Sequence, residues 1–219
     1  MRKQLPRGSS SLPREVVELE QRKRLVLGMA KVVAEKGYAE ASVAQIIAQA
    51  GVSRATFYTL FSDKEECFLY GFNKLSQAHV VEVEREIHGA GPLPVRLLNA
   101  ISAYLRRINR DHHLARAFIA EAQATPVSRQ AYEQIQRRLQ NGLQSWVNTV
   151  REENPQVPAP TETDMSLVMH GLNGHIVAQV RCGVAFSDEQ IITICRYIFA
   201  ALGMYEWARY VGEHTLTCV

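Results

Sequence analysis

Arg54, Thr56, Tyr58 and Thr59, with Lys64 a few residues on, form a run suited to hydrogen bonding with polar and charged edges rather than to making or breaking bonds. An arginine can donate two parallel hydrogen bonds to guanine O6 and N7, and the methyls of Ala55 and the threonines can touch a thymine methyl. Threonine and tyrosine hydroxyls suit phosphate oxygens, as does a lysine ammonium. The run also lacks the Lys/Glu pairs that commonly line a solvated helix face. Other chemistry has little to work with. His170 and His175 stand at i, i+5 and point to different helix faces, His112 and His113 are adjacent, and no paired carboxylates, glycine-rich phosphate loop or nucleophile with a base stands out. No metal, no cofactor and no catalysis is expected.

The elements that must carry this run are legible around it. Ser42 and Gln45 make a capping box, and Val43, Ile46, Ile47 and Ala50 recur at i, i+3, i+4 and i+7, so a short helix turns one apolar stripe inward. Gly51 stops it in the left-handed conformation that glycine adopts at least cost. Ser53 then caps a second helix with Val52, Phe57, Leu60 and Phe61 inward, leaving Arg54, Ala55, Thr56, Tyr58 and Thr59 on one exposed side. Helix, tight turn and helix predict a helix-turn-helix, whose second helix enters the major groove while the first crosses the backbone. The candidate DNA contacts are Ser42, Ser53, Arg54, Ala55, Thr56, Tyr58, Thr59 and Lys64.

These residues carry a resemblance. Ala48, Ala50-Gly51-Val52-Ser53, Thr56-Phe57-Tyr58 and Phe61-x-Asp63-Lys64-Glu65 run without a gap, with Glu35-x-Gly37-Tyr38 upstream, and the stretch from about residue 20 to 72 resembles the DNA-binding region of the TetR family of transcriptional regulators. The resemblance implies a homodimeric, ligand-responsive repressor of a pseudopalindromic double-stranded operator, with a small molecule held among the fourth to eighth helices. Ala55 and Leu60 depart from the residues common in that family.

Charge is distributed to match. Residues 1–64 hold 11 Lys and Arg against 6 Asp and Glu, while residues 65–219 hold 14 against 16, which places the positive excess with the helix-turn-helix. Residues 1–14, with four basic side chains and no acid, are expected as a flexible arm, 15–62 as the DNA-binding domain and 63–219 as a helical ligand-binding and dimerisation domain. Cys67, Cys182, Cys195 and Cys218 show no C-x-x-C pairing, no apolar leader opens the sequence, and no apolar run is long enough to span a bilayer. A cytoplasmic protein with reduced thiols and no membrane partner is expected.

The remainder reads as all-helical, since no stretch alternates with period two long enough for a strand. A helix from about Pro13 or Arg14 to Lys36 precedes the pair; its Arg22-Lys23-Arg24 cluster reads either as a solvated face or as phosphate contacts. A long fourth helix opens with a capping box from Ser62 to Glu65 and ends before the Gly- and Pro-rich link at 89–94. It touches the recognition helix at one end and the larger domain's core at the other, so a tilt could carry a ligand's signal. For a hydrophobic or amphipathic effector, Phe72, Tyr104, Phe118, Tyr132 and Trp146 are available as walls, with Asn173 or His175 as polar orienters. The last two helices, expected at about 164–181 and 187–211, are apolar on two faces, which asks for two burial partners. Met169, Leu172, Ile176, Ile194, Ile198 and Leu202 are the expected homodimer interface, and Leu167, Gly171, Gly174 and Ala178 line the other face of the first of the two helices. A second reading, a helical sensor or scaffold that no longer binds DNA, would require a second helix without competent contacts.

Overall fold

The computed structural model describes residues 13–213, and every regular element among them is helical. Residues 1–12 of the expected arm, and Cys218, lie outside the described residues. α1 (Arg14–Lys36) ends at Gly37, and α2 (Val43–Ala50) is closed by the Ser42–Gln45 box, with the Gln45 amide donating to Ser42 Oγ at 3.3 Å and the Ser42 amide to Gln45 Oε1 at 3.0 Å. Gly51 takes φ 63°, and Ser53 caps α3 (Arg54–Leu60). α4 (Lys64–Ile87) is capped differently from the sequence expectation: Asp63, not Ser62, accepts from the Glu66 amide at 2.8 Å, and Glu66, not Glu65, reaches back to the Ser62 amide. The carboxylate of Asp63 is the stronger acceptor at a helix N-terminus, so the box slides one residue along.

α5 (Leu93–Arg110) follows the link and leads into a one-turn α6 (His112–Ala115), which runs on as a π-helical turn over Arg116–Ala120. α7 (Pro126–Glu153) and α8 (Glu162–Cys182) begin at Thr125 and Thr161, each with a reciprocal capping box. The single final helix expected at 187–211 is two: α9 (Asp188–Ala201) and α10 (Tyr205–Glu213). Gly203 makes the break at φ 76°, and Pro158 Cγ lies only 2.6 Å from where a Cβ would stand. An uninterrupted apolar period hides such a reversal, because the same stripe is buried on both sides of it.

Two apolar clusters hold the molecule together. One joins Leu25, Met29, Ile46, Phe57, Phe61, Phe68 and neighbours in α1–α4, and it also takes in Ala117, Phe118 and Ala122 from the π turn and the segment after it. The other fills the space among α5, α7, α8, α9 and α10. α4 belongs to both, packing on α1 near its start and on α5 and α7 further along.

Candidate nucleic-acid interface and buried cavity

α3 is only seven residues long, and its neighbours hold it. Phe57 and Leu60 are buried beneath it. Arg24 of α1 donates to Ala50 O at 3.0 and 2.7 Å and to Gly51 O at 2.7 Å, so a guanidinium caps the end of α2 and fixes the turn that aims α3. Arg22 lies 4.8 Å over the Phe61 ring and 5.3 Å over Tyr70. Of the Arg22-Lys23-Arg24 cluster, therefore, two members are structural and Lys23 alone stands exposed without such an attachment.

On the outer side of α3, Arg54 and Tyr58 are exposed, Tyr58 at 48%, with the guanidinium 5.7 Å from the phenol ring. Neither makes a hydrogen bond among the described residues, so five guanidinium donors and one hydroxyl face outward. The hydroxyls nearby are more committed. Ser53 Oγ caps the Thr56 amide at 3.0 Å and meets Thr56 Oγ1 at 2.8 Å, while Thr59 Oγ1 donates to Ala55 O at 2.9 Å. These two threonines therefore offer methyls and remaining lone pairs outward more than free protons. Ala55 is exposed beside them, and Ser42 is spent on its capping box.

Lys64 is not a free cation. Its Nζ donates to Tyr38 O at 2.9 Å and Ala39 O at 3.3 Å and sits 4.4 Å from the Tyr38 ring centroid, tying the start of α4 to the α1–α2 loop and leaving one donor for any phosphate. The low dielectric of that corner also reaches Tyr38, whose phenol is pushed up to about 12 by burial first and then by Glu65, Asp63 and Cys67.

Two small cavities meet deeper in the chain. The first, about 70 Å³, lies between α4, α5, α7 and α8, is walled by residues such as Val83, Ile87, Leu97, Leu143 and Leu172, and has the Glu84–Arg138 ion pair among its lining residues. That pair joins α4 to α7 through bonds of 2.9 and 2.8 Å. The second, about 30 Å³, shares Val80, Tyr104 and Leu139 with the first and brings together Phe72, Phe118, Tyr132 and Asn173. Five of the seven expected ligand residues thus share one wall system. Trp146 and His175 do not join them. The α9–α10 reversal brings Trp207 to 6.1 Å from Trp146, which is 2% exposed and packed against Phe199 as well, while His175 faces outward, its ring centroid 6.2 Å from that of Phe186.

Sequence reasoning passed over His79, Ser76 and Gln136, which line the same second cavity. A signal was available: Phe72, Ser76, His79 and Val80 fall at i, i+4, i+7 and i+8, so two polar residues sit within the inward stripe of α4. His79 is 6% exposed, with burial, aided by Arg107, holding its imidazole down at about 4, and its Nε2 lacks a partner. The Tyr132 hydroxyl is likewise without a hydrogen bond, and burial raises its pKa although the Asn173, Gln123 and Gln136 amides lie close. Outside this wall a wider groove of about 490 Å³ continues past Tyr132, Gln136 and Asn173 to Arg129, Arg137 and His170.

The residues expected at a dimer interface have partners within the single chain. Ile176, Ile194, Ile198 and Leu202 are buried in the chain's own core, and Met169 and Leu172 pack against that core and line the first cavity. The bulkier of the two α8 faces fills the interior, leaving the face with smaller side chains outside. Leu167, 64% exposed, continues through Gly171, Gly174 and Ala178 along α8, and beside it on α9 stands Tyr197, 51% exposed. A Cβ added at Gly171 would lie 3.6 Å from the Tyr197 hydroxyl, so the two stripes form one surface.

The sequence model for bacterial regulatory proteins of the tetR family matches residues 29–70, from the middle of α1 through α2 and α3 into α4. Over those residues the chain is similar to the TetR family of transcriptional regulators. The fatty acid metabolism regulator protein of Bacillus subtilis (strain 168) is 31% identical over 85 residues, which is 39% of this chain and 44% of that protein, so the match spans less than half of that relative. Among solved structures, a TetR-like transcriptional regulator of Rhodococcus sp. RHA1 aligns over 87% of this chain and 98% of its own, with TM-score 0.67 and 18% identity. The regulator FadR of Bacillus subtilis, solved in complex with stearoyl-CoA, aligns over 84% and 98%, with TM-score 0.65 and 22% identity. At these identities the structural matches show a shared helical fold. Among the described residues no group of three or more His, Cys, Asp or Glu could hold a metal ion, and no helix is long and apolar enough to cross a membrane.

Proposed function

We propose that this chain is a ligand-responsive TetR-type transcriptional regulator, a repressor that binds a pseudopalindromic DNA operator as a homodimer and is released by a small hydrophobic or amphipathic effector. The observation that carries the reading is the outer side of α3: Arg54 and Tyr58 present unspent donors on a helix whose position is fixed by Arg24 and by a buried aromatic core. In this reading residues 15–62 are the DNA-binding domain and 63–219 the ligand and dimerisation domain, working in the cytoplasm without catalysis.

The surface of Leu167, Gly171, Gly174, Ala178 and Tyr197 supports the dimer. Its small residues let a second copy of α8 approach closely, and an exposed apolar face of this kind asks for a partner. The two adjoining cavities support the effector. Stearoyl-CoA in the Bacillus subtilis structure is an amphipathic ligand, and an apolar cavity beside a groove bearing Arg129 and Arg137 suits that general shape here.

Selection of bound fragments from random genomic DNA by the purified chain tests the proposal. An enriched inverted repeat is the expected result, and no enrichment would favour the scaffold reading.

A further inference from the structure

The wall where the two cavities meet has an unusual composition. The second cavity's lining contains no Asp, Glu, Lys or Arg, yet His79 Nε2 is buried without a partner, and the Tyr132 hydroxyl, with the Asn173, Gln123 and Gln136 amides around it, closes a well-aligned hydrogen bond to none of them. A buried polar group left unpaired costs free energy, so natural cores rarely keep two in one small space without use for them. Directly beyond Val80, Tyr104 and Leu139 the first cavity is almost wholly apolar. Water could satisfy the polar wall alone. A molecule with one polar atom and an apolar body satisfies both cavities at once.

We infer that the effector is an aliphatic or alicyclic molecule bearing an uncharged hydroxyl or carbonyl oxygen, which is hydrogen-bonded by His79 and Tyr132 while its tail lies among α4, α5, α7 and α8. This rests on the effector reading above and deepens it. A hydroxyl donates to one side and accepts from the other, and a carbonyl accepts from both, so either oxygen matches a phenol and a neutral imidazole. A carboxylate does not. No cation lines the second cavity, Arg138 beside the first is paired with Glu84 at 2.8 Å, and Arg107, which acts on His79, is paired with Glu82 at 3.1 Å, so an anion drawn in would lose its hydration without compensation. The burial that holds His79 uncharged agrees with a neutral partner. His79 also sits on α4, so the polar atom of the ligand bonds the helix whose first turn abuts the recognition helix.

The carbonyl can come from a free ester or from a thioester on an anionic carrier. The carrier would lie in the groove lined by Arg129 and by Arg137, the latter 3.9 Å from Glu133, outside the wall that Tyr132, Gln136 and Asn173 form.

The test is calorimetric titration of the full chain, without DNA, with 1-decanol, methyl decanoate, decanoate and decanoyl-coenzyme A. The neutral alcohol and ester should bind at least about tenfold more tightly than decanoate, and Tyr132→Phe and His79→Leu should each weaken 1-decanol by about five- to tenfold. Tyr132→Phe removes a single oxygen that closes no well-aligned hydrogen bond and should stay folded, so it carries the test even if His79→Leu folds poorly. Decanoyl-coenzyme A binding more tightly than methyl decanoate, with the difference lost in Arg129→Glu/Arg137→Glu, assigns the carbonyl to a carrier; the reverse order assigns it to a free ester. Wild-type affinity for 1-decanol in both cavity variants overturns the inference, as does preference for decanoate or failure of both neutral probes to bind. Because no DNA is present, a chain that binds 1-decanol but selects no operator would sink the regulator reading alone.

Discussion

Phe118 occupies the space that a side chain on Gly71 would need: a Cβ built there lies 2.5 Å from Phe118 Cζ and 3.0 Å from Val26 Cγ1. The glycine lets the π turn press against α4, and Phe118 then touches two regions at once. Its ring centroid is 5.2 Å from that of Phe68 in the amino-terminal core, and it lines the second cavity. Arg181 Nη2 donates to Ala120 O at 3.0 Å, and the Tyr38 amide donates to Glu121 Oε2 at 3.4 Å, so the segment also joins α8 to the loop before α2. A cavity change that moves Phe118 therefore has a short mechanical route to the helix-turn-helix. Gly71→Ala should overpack this junction and lower stability by about 1–3 kcal/mol in urea unfolding, and an unchanged midpoint would mean the contact is soft.

Arg54 and Lys64 should separate cleanly in DNA titrations. Arg54→Ala should relax specificity at one base pair per half-site and cost about 1–3 kcal/mol there, with folding stability unchanged. Lys64→Ala should weaken all sequences alike and, because it also removes two bonds to Tyr38 and Ala39, lower folding stability by about 1 kcal/mol. The salt dependence should fall by about one ion per subunit if the third donor of Lys64 meets a phosphate. A Lys64→Ala protein with altered base preference and wild-type stability would contradict both roles.

The proposed assembly surface can be told from the core by charge. Leu167→Glu, or Tyr197→Glu, should leave a folded monomer, since both side chains are half or more exposed in the single chain. Ile198→Glu should instead unfold it, because a carboxylate would enter a site that is 1% exposed. Sedimentation velocity with circular dichroism on the three variants checks the distinction, and an intact dimer for both surface variants would move the interface elsewhere.

Acid should act through His79. Its folded pKa, about 4, lies below the unfolded value near 6.5, so below that unfolded value the unfolded chain binds the extra proton and stability falls as pH drops from about 6.5 toward 4. The loss over that window is on the order of 3 kcal/mol for this group. Arg107 burdens the charged imidazole further, and Arg110 and Asp111 line the cleft that His79 and Arg107 also line. His79→Leu should flatten the dependence of unfolding free energy on pH across this window relative to wild type, and identical slopes for the two proteins would remove His79 from the account.

The elements set by short-range signals were legible in the sequence. Ser42 with Gln45, Gly51 and Ser53 act within four residues of themselves, so the helix-turn-helix and its outward side could be read from residue types alone. What a side chain meets across the fold could not. Arg24 finds the carbonyls of Ala50 and Gly51 only because α1 crosses the end of α2, and Lys64 finds Tyr38 in the same way. The two apolar faces of α8 look equivalent in sequence; packing chose the bulkier one for the core and turned Leu167 and Gly171 outward. Trp146 resembled a pocket wall until the reversal at Gly203 brought Trp207 against it.

The central claim, that two copies of the α3 surface read an inverted repeat, is tested most directly by an anisotropy titration of the selected genomic repeat, its single half-site and a scrambled duplex at one fixed salt concentration. The account predicts two chains per repeat, weak binding to the half-site, and a preference for the repeat over scrambled DNA of at least about a thousandfold, diminished in Arg54→Ala. Equal affinity for repeat and scrambled duplex, or a preference that Arg54→Ala leaves untouched, would contradict it.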